Sequence, residues 1–194
     1  MSYKKRFETL FHRPSESFQE IIKYPCFFKT SLVIFICGLV YTTIAELGLF
    51  NSLMPHFIAA YSLMFTIIWF LPTVISMIIF KIIGKKFNTE SYIEANALSI
   101  FSVITLGFIF LSIFMIYSNI FADPKRTAYF AMVYYNQWYP LAIVGVIGAI
   151  LILHRIIIIG RIIVKAKLYQ IIIIWIVAAL ISMYIAYLIF RGWL

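Results

Sequence analysis

Residues 169–190, YQIIIIWIVAALISMYIAYLIF, contain no charged side chain and lie between Lys167 and Arg191. A bilayer hydrocarbon core about 30 Å thick is crossed by about 20 apolar residues in an α-helix, which rises about 1.5 Å per residue. The run is continuously apolar, whereas the strands of a membrane barrel alternate over about ten residues. It therefore predicts a transmembrane helix.

Four more apolar stretches precede this one. Together they predict spans near 30–50, 57–80, 96–118, 138–157 and 169–190. The composition agrees, because 64% of the residues are hydrophobic and only 12% are charged, against about 25% charged in soluble domains. We expect an all-α, polytopic membrane protein with a cytoplasmic amphipathic segment at 1–29 and a five-span transmembrane domain at 30–194.

The lysines and arginines are distributed unevenly between the ends of these spans. Of 16 in all, three lie after the third or fifth span; the other thirteen precede the first span or follow the second or fourth. Because cytoplasmic loops carry an excess of cations, the N-terminus is predicted to be cytoplasmic and the C-terminus to lie on the opposite face. The net charge of +9 is then matched by anionic lipid of the inner leaflet, and no nucleic-acid partner is expected.

Two short segments on the cytoplasmic side have an amphipathic character. Residues after Pro14 predict a short helix that Pro25 ends, with Ser17 and Glu20 at capping-box spacing. This helix could lie in the headgroup plane or pack on the protein's own inner loops. After the fourth span, four cations stand among isoleucines and are candidates for binding lipid headgroups: Arg155, Arg161, Lys165 and Lys167.

Three residues are candidates for a functional role within the spans. Glu46 lies near the outer end of the first span, where a charge close to hydrocarbon indicates function unless its carboxylate reaches water. Pro72 interrupts the hydrogen bonding of the second span and predicts a kink, which could serve gating or packing. Asn96 opens the third span beside Glu94, an acidic residue that we attribute to the dipole of its own helix.

No catalytic constellation is recognisable in the sequence. The predicted topology places His56 on the outer side and His12 and His154 on the inner side, so the three histidines cannot share one site. No HExxH or similar metal-binding spacing is present. We therefore expect neither an enzyme nor a cofactor or metal site.

Three stretches give the chain a resemblance to a known family. They are LFHRPSESFQEIIKYP (Leu10–Pro25), IIGKKFNTESYIEANALSIFSV (Ile82–Val103) and the segment His154–Leu168, which ends in VKAKL. In spacing and hydropathy the chain resembles the YIP-type family, the Rab-interacting Yip proteins of the secretory pathway and their prokaryotic relatives. The long acidic extension and the Asp-Leu-x-Gly-Pro motif of eukaryotic members are absent, so the resemblance implies a short-tailed prokaryotic member in the cell membrane.

Two functions remain open from the sequence. The first is a non-catalytic membrane scaffold or adaptor that organises lipid or partner proteins, with protein partners or a homo-oligomer expected. The alternative is a small membrane transporter or channel, suggested by Glu46, Pro72 and Asn96. The scarcity of ionisable groups in mid-span argues against an ion pathway.

Overall fold

The computed structural model describes residues 9–10, 12–50, 55–100 and 138–191, with side chains undescribed in parts of four helices. The described residues form six helices. In chain order these are α1 (Pro14–Lys23), α2 (Phe27–Phe50), α3 (Pro55–Ile82), α4 (described over 89–100), α5 (Trp138–Ile162) and α6 (Leu168–Phe190). The predicted all-α class is confirmed for this part of the chain.

Four helices cover predicted spans and extend slightly past them: α2, α3, α5 and α6. The third span was expected to begin at 96, but α4 begins at 89. The side chain of Asn88 explains the earlier start, because its Oδ1 accepts the backbone N–H of Glu90 (2.9 Å) and of Ser91 (3.3 Å) as an N-cap. The rest of that span, 101–118, lies outside the described residues.

One stretch within the described residues is both long and apolar enough to cross a membrane, Leu168–Ile189 of α6. Two shorter apolar stretches are Phe27–Val40 and Trp69–Ile82. The stretch in α6 agrees by length and composition with the fifth predicted span.

Helix α1 packs on the protein itself. Pro14 stands at the start of the helix, where the backbone N–H that proline lacks would have no partner within the helix. The helix ends at Lys23, before Pro25. Phe18 and Ile21 have no exposed surface, and α1 contacts α5. The capping-box prediction was wrong, because Ser17 lies inside the helix and is buried. Of the two interpretations of this segment, the buried face favours packing on the protein itself over a position in the headgroup plane.

Two turns join the helices at one end of the structure. Gly84 adopts a positive φ of 82°, and the backbone N–H of Lys85 bonds the carbonyl of Phe80 at 3.0 Å, which closes α3 with a Schellman-type turn. The turn from α5 to α6 has Lys165 at a φ of 55°. Lys85 Nζ donates to the carbonyl oxygen of Lys165 at 3.2 Å, so the two turns are in direct contact.

The hydrophobic core lies at this same end. We call it the basal core; it contains Leu10, Phe18, Ile21, Phe80, Tyr92, Ala95, Leu98, Ile156, Ile159, Ile163, Val164, Ala166, Ile171 and Ile174. Its members come from α1, α3, α4, α5, α6 and the α5–α6 turn, with Leu10 from the segment before α1. Burying a large aliphatic or aromatic side chain contributes about 1.5–3 kcal/mol relative to leaving it in water. The basal core therefore holds the N-terminal helix and the two turns to the bundle.

Candidate functional site

A cavity of about 540 Å³ lies between α3, α4, α5 and α6. Its wall includes Pro72 and Thr73 of α3, Asn96 of α4, Ile156 of α5 and Trp175 of α6. Two of the three predicted functional residues, Pro72 and Asn96, therefore share one site. Glu46 falls within α2, but its side chain lies outside the described part of the chain.

The polar side chains in the wall are hydrogen-bonded to their own helices. Thr73 Oγ1 donates to the carbonyl of Trp69 (2.8 Å), and Asn96 Nδ2 donates to the carbonyl of Tyr92 (2.8 Å). Ser99 Oγ donates to the carbonyl of Ala95 in the same way (2.8 Å). No described residue that lines the cavity is charged. The site is thus suited to an apolar ligand rather than to an ion.

Two residues of the cavity wall, Asn96 and Trp175, contact a buried tyrosine hydroxyl. Tyr92 has no exposed surface, and its hydroxyl lies 2.9 Å from Ser76 Oγ. Burial raises the pKa of Tyr92, and the side chains of Ser76, Asn96 and Trp175 oppose that rise by hydrogen bonding. The hydroxyl therefore stays protonated near neutral pH and pairs with Ser76 inside the protein.

The shape of the cavity follows from one close contact between α5 and α6. A Cβ placed on Gly160 would meet Ile171 Cδ1 at 2.6 Å, so these two helices touch at a glycine. Away from this contact, small residues face the cavity, namely Ala149 on α5 and Ala179 on α6. Small side chains leave the space between the helices unfilled. The cavity therefore lies further from the α5–α6 turn than the contact between Gly160 and Ile171.

Pro72 lies inside the uninterrupted helix α3 and is buried. The kink expected at this residue stays a prediction. Trp69, one turn earlier, lines both this cavity and a second apolar groove of about 440 Å³ that also includes Phe27 and Phe28.

Glu94 has a different role from the one expected. It is fully buried in the second turn of α4 rather than at its N-terminus. Its carboxylate accepts the backbone N–H of Cys26, which directly precedes α2, and the hydroxyl of Thr30 at 3.2 Å. An anion at this position stabilises the N-terminal dipole of α2. Glu94 of α4 therefore caps the N-terminus of α2.

The four candidate headgroup-binding cations occupy two environments. Arg161, Lys165 and Lys167 are exposed near the α5–α6 turn, as expected for contact with lipid phosphate. Arg155 differs, because only 5% of its surface is exposed and its Nε and Nη1 atoms have no hydrogen-bond partner among the described residues. The Arg155 guanidinium is therefore not accessible to a lipid headgroup, whereas the other three cations are.

Across the ranges described, no three His, Cys, Asp or Glu side chains come together as a possible metal site. Cys26 and Cys37 are both free thiols.

Sequence reasoning missed Trp175 and the tertiary role of Glu94. A signal for Trp175 existed, because tryptophan in membrane helices concentrates at the interfaces, whereas this one stands within the apolar run of α6. No comparable signal marked Glu94, since its partners lie on a helix distant in sequence.

No protein-family model, curated protein or solved structure matches the chain.

Proposed function

We propose that the chain is a five-span membrane protein, N-terminus cytoplasmic and C-terminus opposite, that acts as a non-catalytic scaffold organising lipid. The observation that carries this proposal is the apolar exterior of α6, combined with the cations at its start. Met183 and Leu180 expose 69% and 61% of their surfaces, and Arg161, Lys165 and Lys167 are exposed around the turn before α6. An apolar exterior of this kind fits lipid as the surrounding solvent.

The cations give the scaffold a preference for lipid charge. A Lys or Arg near an anionic membrane surface contributes about 1 kcal/mol to the attraction. Lys86, which follows α3, is also exposed. These groups lie at the end of the structure that the charge distribution assigns to the cytoplasm. Anionic inner-leaflet lipid is therefore the expected partner, with other proteins or a second copy of the chain as further partners.

The remaining parts of this proposal rest on sequence. Membership of the YIP-type family and location in a prokaryotic cell membrane are proposed from the resemblance of three sequence segments alone. The absence of enzymatic activity is proposed because Thr73, Asn96 and Ser99 in the cavity wall each donate a hydrogen bond to the backbone of their own helix, and no described lining residue is charged.

The topology is tested with reporters at both termini and after the predicted spans. Alkaline extraction should leave the protein in the membrane, and the N-terminal and C-terminal reporters should respond on opposite sides. Both termini on one side, or release of the protein by alkaline carbonate, would refute the five-span proposal.

Lipid preference is tested by reconstituting the protein in mixed vesicles of phosphatidylglycerol and phosphatidylcholine and measuring which of the two lipids is enriched around it. A variant with Arg161→Gln, Lys165→Gln and Lys167→Gln should lose enrichment of the anionic lipid in its annulus. Arg13→Gln is the matched control, because Arg13 is exposed and engaged with Glu16 at 3.3 Å. Equal enrichment in all three proteins would contradict a headgroup role.

A transporter or channel remains the second candidate because Pro72 and Asn96 line the same cavity. Flux of a defined solute into proteoliposomes, reduced by Asn96→Leu or by Glu46→Gln, would favour this function. Flux equal to that of empty vesicles over a broad panel of solutes would leave the scaffold as the better account.

A further inference from the structure

We propose that the cavity between α3, α4, α5 and α6 is a binding site for one acyl chain of a membrane phospholipid. This inference rests on the proposed membrane location. It goes beyond that location because it assigns a specific, retained lipid to one site, in addition to the lipids that surround any membrane protein.

The size and lining of the cavity determine the class of ligand. Ligand sites typically measure about 300–1,000 Å³ and are mostly apolar, and this cavity of about 540 Å³ falls in that range. Its described lining includes no charged residue, and Thr73, Asn96 and Ser99 each donate to a carbonyl of their own helix. An uncharged hydrocarbon chain meets these conditions, whereas a charged solute would lose its hydration without compensation.

The source of the chain follows from continuity with the exterior of α6. Ile176 lines the cavity and exposes 54% of its surface, and Leu153 on α5 lines it and exposes 48%. The opening thus lies between α5 and α6, beside a helix long and apolar enough to span a membrane. The medium that surrounds α6 therefore has direct access to the cavity. In a membrane that medium is the hydrocarbon of the lipids.

The close contact between Gly160 and Ile171 lies near the α5–α6 turn, at one side of the cavity. Of the lining residues on these two helices, Ile156 and Ile172 are the nearest to that turn in sequence, and Ala149 and Ala179 are the farthest. A chain that enters between α5 and α6 can therefore contact both helices along the lining. Dispersion contacts with these side chains favour an apolar occupant over an empty space.

Trp175 provides a reporter inside the wall. The chain has 4 tryptophans, and Trp69 also lines the second groove. A variant with Trp69→Phe, Trp138→Phe and Trp193→Phe leaves Trp175 as the one fluorophore of its kind. In nanodiscs of phosphatidylcholine with brominated chains, its emission should be quenched, and Ala149→Leu with Ala179→Leu should relieve the quenching by filling the cavity.

The control is Leu180→Phe, which enlarges an exposed side chain on the same helix, α6. It should leave the quenching unchanged. Native mass spectrometry after exchange into mild detergent should detect one retained phospholipid per chain. We expect the filled variant to retain it about tenfold less well, equivalent to about 1.4 kcal/mol.

The outcomes separate this inference from the proposed function. Insertion in the membrane together with relief of quenching and loss of the retained lipid in the filled variant supports the acyl-chain site. If the protein inserts normally but the filled variant is quenched as strongly as the parent, the acyl-chain site is overturned and the proposed function is not. The same holds if cross-linking shows that another part of the chain or a second copy occupies the cavity. Failure to insert, seen in alkaline extraction, overturns the proposed function itself.

Discussion

The buried carboxylate of Glu94 accepts a hydrogen bond from the backbone N–H of Cys26, the residue immediately before α2. Because α2 follows α1 by only a few residues, this bond links the N-terminal part of the chain to α4. A second bond from Thr30 (3.2 Å) fixes the orientation of the carboxylate.

Replacement of Glu94 by alanine should destabilise the protein strongly. It leaves the N–H of Cys26 and the hydroxyl of Thr30 without this acceptor in a buried place, at a cost of about 1–3 kcal/mol. The measurement is the melting temperature in mild detergent, followed by circular dichroism. Glu90→Gln is the control, because Glu90 is exposed one turn earlier on the same helix. Equal melting temperatures for the two variants would contradict the capping role.

Enlargement of Gly160 should force α5 and α6 apart. In Gly160→Ala the new Cβ would stand 2.6 Å from Ile171 Cδ1, and such overpacking costs about 1–3 kcal/mol. Ile171→Ala removes the obstructing atoms, so the double variant should be more stable than the sum of the two single effects predicts. Thermal unfolding of the four proteins in one detergent measures this coupling; strictly additive losses would argue against contact.

Removal of the Tyr92 hydroxyl should cost stability near neutral pH. Tyr92→Phe deletes the bond to Ser76, and a typical hydrogen bond contributes about 0.5–1.5 kcal/mol. Tyr169→Phe, at an exposed tyrosine of α6, should have little effect. A Tyr92→Phe protein as stable as the Tyr169→Phe protein would show that the hydroxyl contributes nothing.

The same tyrosine should make stability depend on alkaline pH. Since burial raises the pKa of Tyr92 in the folded protein above the ordinary value of 10.0, ionisation favours the unfolded chain once the pH exceeds 10.0. The contribution is complete below that pH and declines above it. The stability difference between the parent protein and Tyr92→Phe should therefore shrink as the pH rises past this value, as measured by urea titration in detergent.

Replacement of Arg155 by leucine should leave stability unchanged or increase it. Two of its nitrogen atoms are buried without a partner among the described residues, and apolar replacements of buried charges are often neutral or stabilising. Arg161→Leu, at an exposed cation of the same helix, should instead reduce enrichment of anionic lipid with little change in melting temperature. A large fall in melting temperature for Arg155→Leu would mean that the guanidinium has an essential partner.

The positions of the helices could be predicted because charged residues flank each apolar run in the sequence. Lys167 and Arg191, for example, bracket α6 almost to the residue. The start of α4 was predicted at 96, where the long apolar run begins. The helix begins at 89 instead, because Asn88 caps it there. The number of membrane spans remains a prediction, since one described helix meets the criteria of length and composition.

The site was only partly predictable. Pro72 and Asn96 stood out because each residue type is unusual within an apolar helix, and the fold brings them to one cavity. Their proximity depends on how α3 and α4 pack, which hydropathy does not encode. The carboxylate of Glu94 was assigned to its own helix for the same reason: its partners are 64 and 68 residues away in the chain.

The burial of α1 has a consequence for biosynthesis. Phe18 and Ile21 leave the ribosome well before Ile159, Ile163 and Ile171, which belong to the same basal core. Contacts between such distant parts of a chain form late and leave apolar surface uncovered in the meantime. The apolar face of nascent α1 must therefore be shielded from water until α6 has been synthesised, and truncation before α6 should expose α1 to degradation.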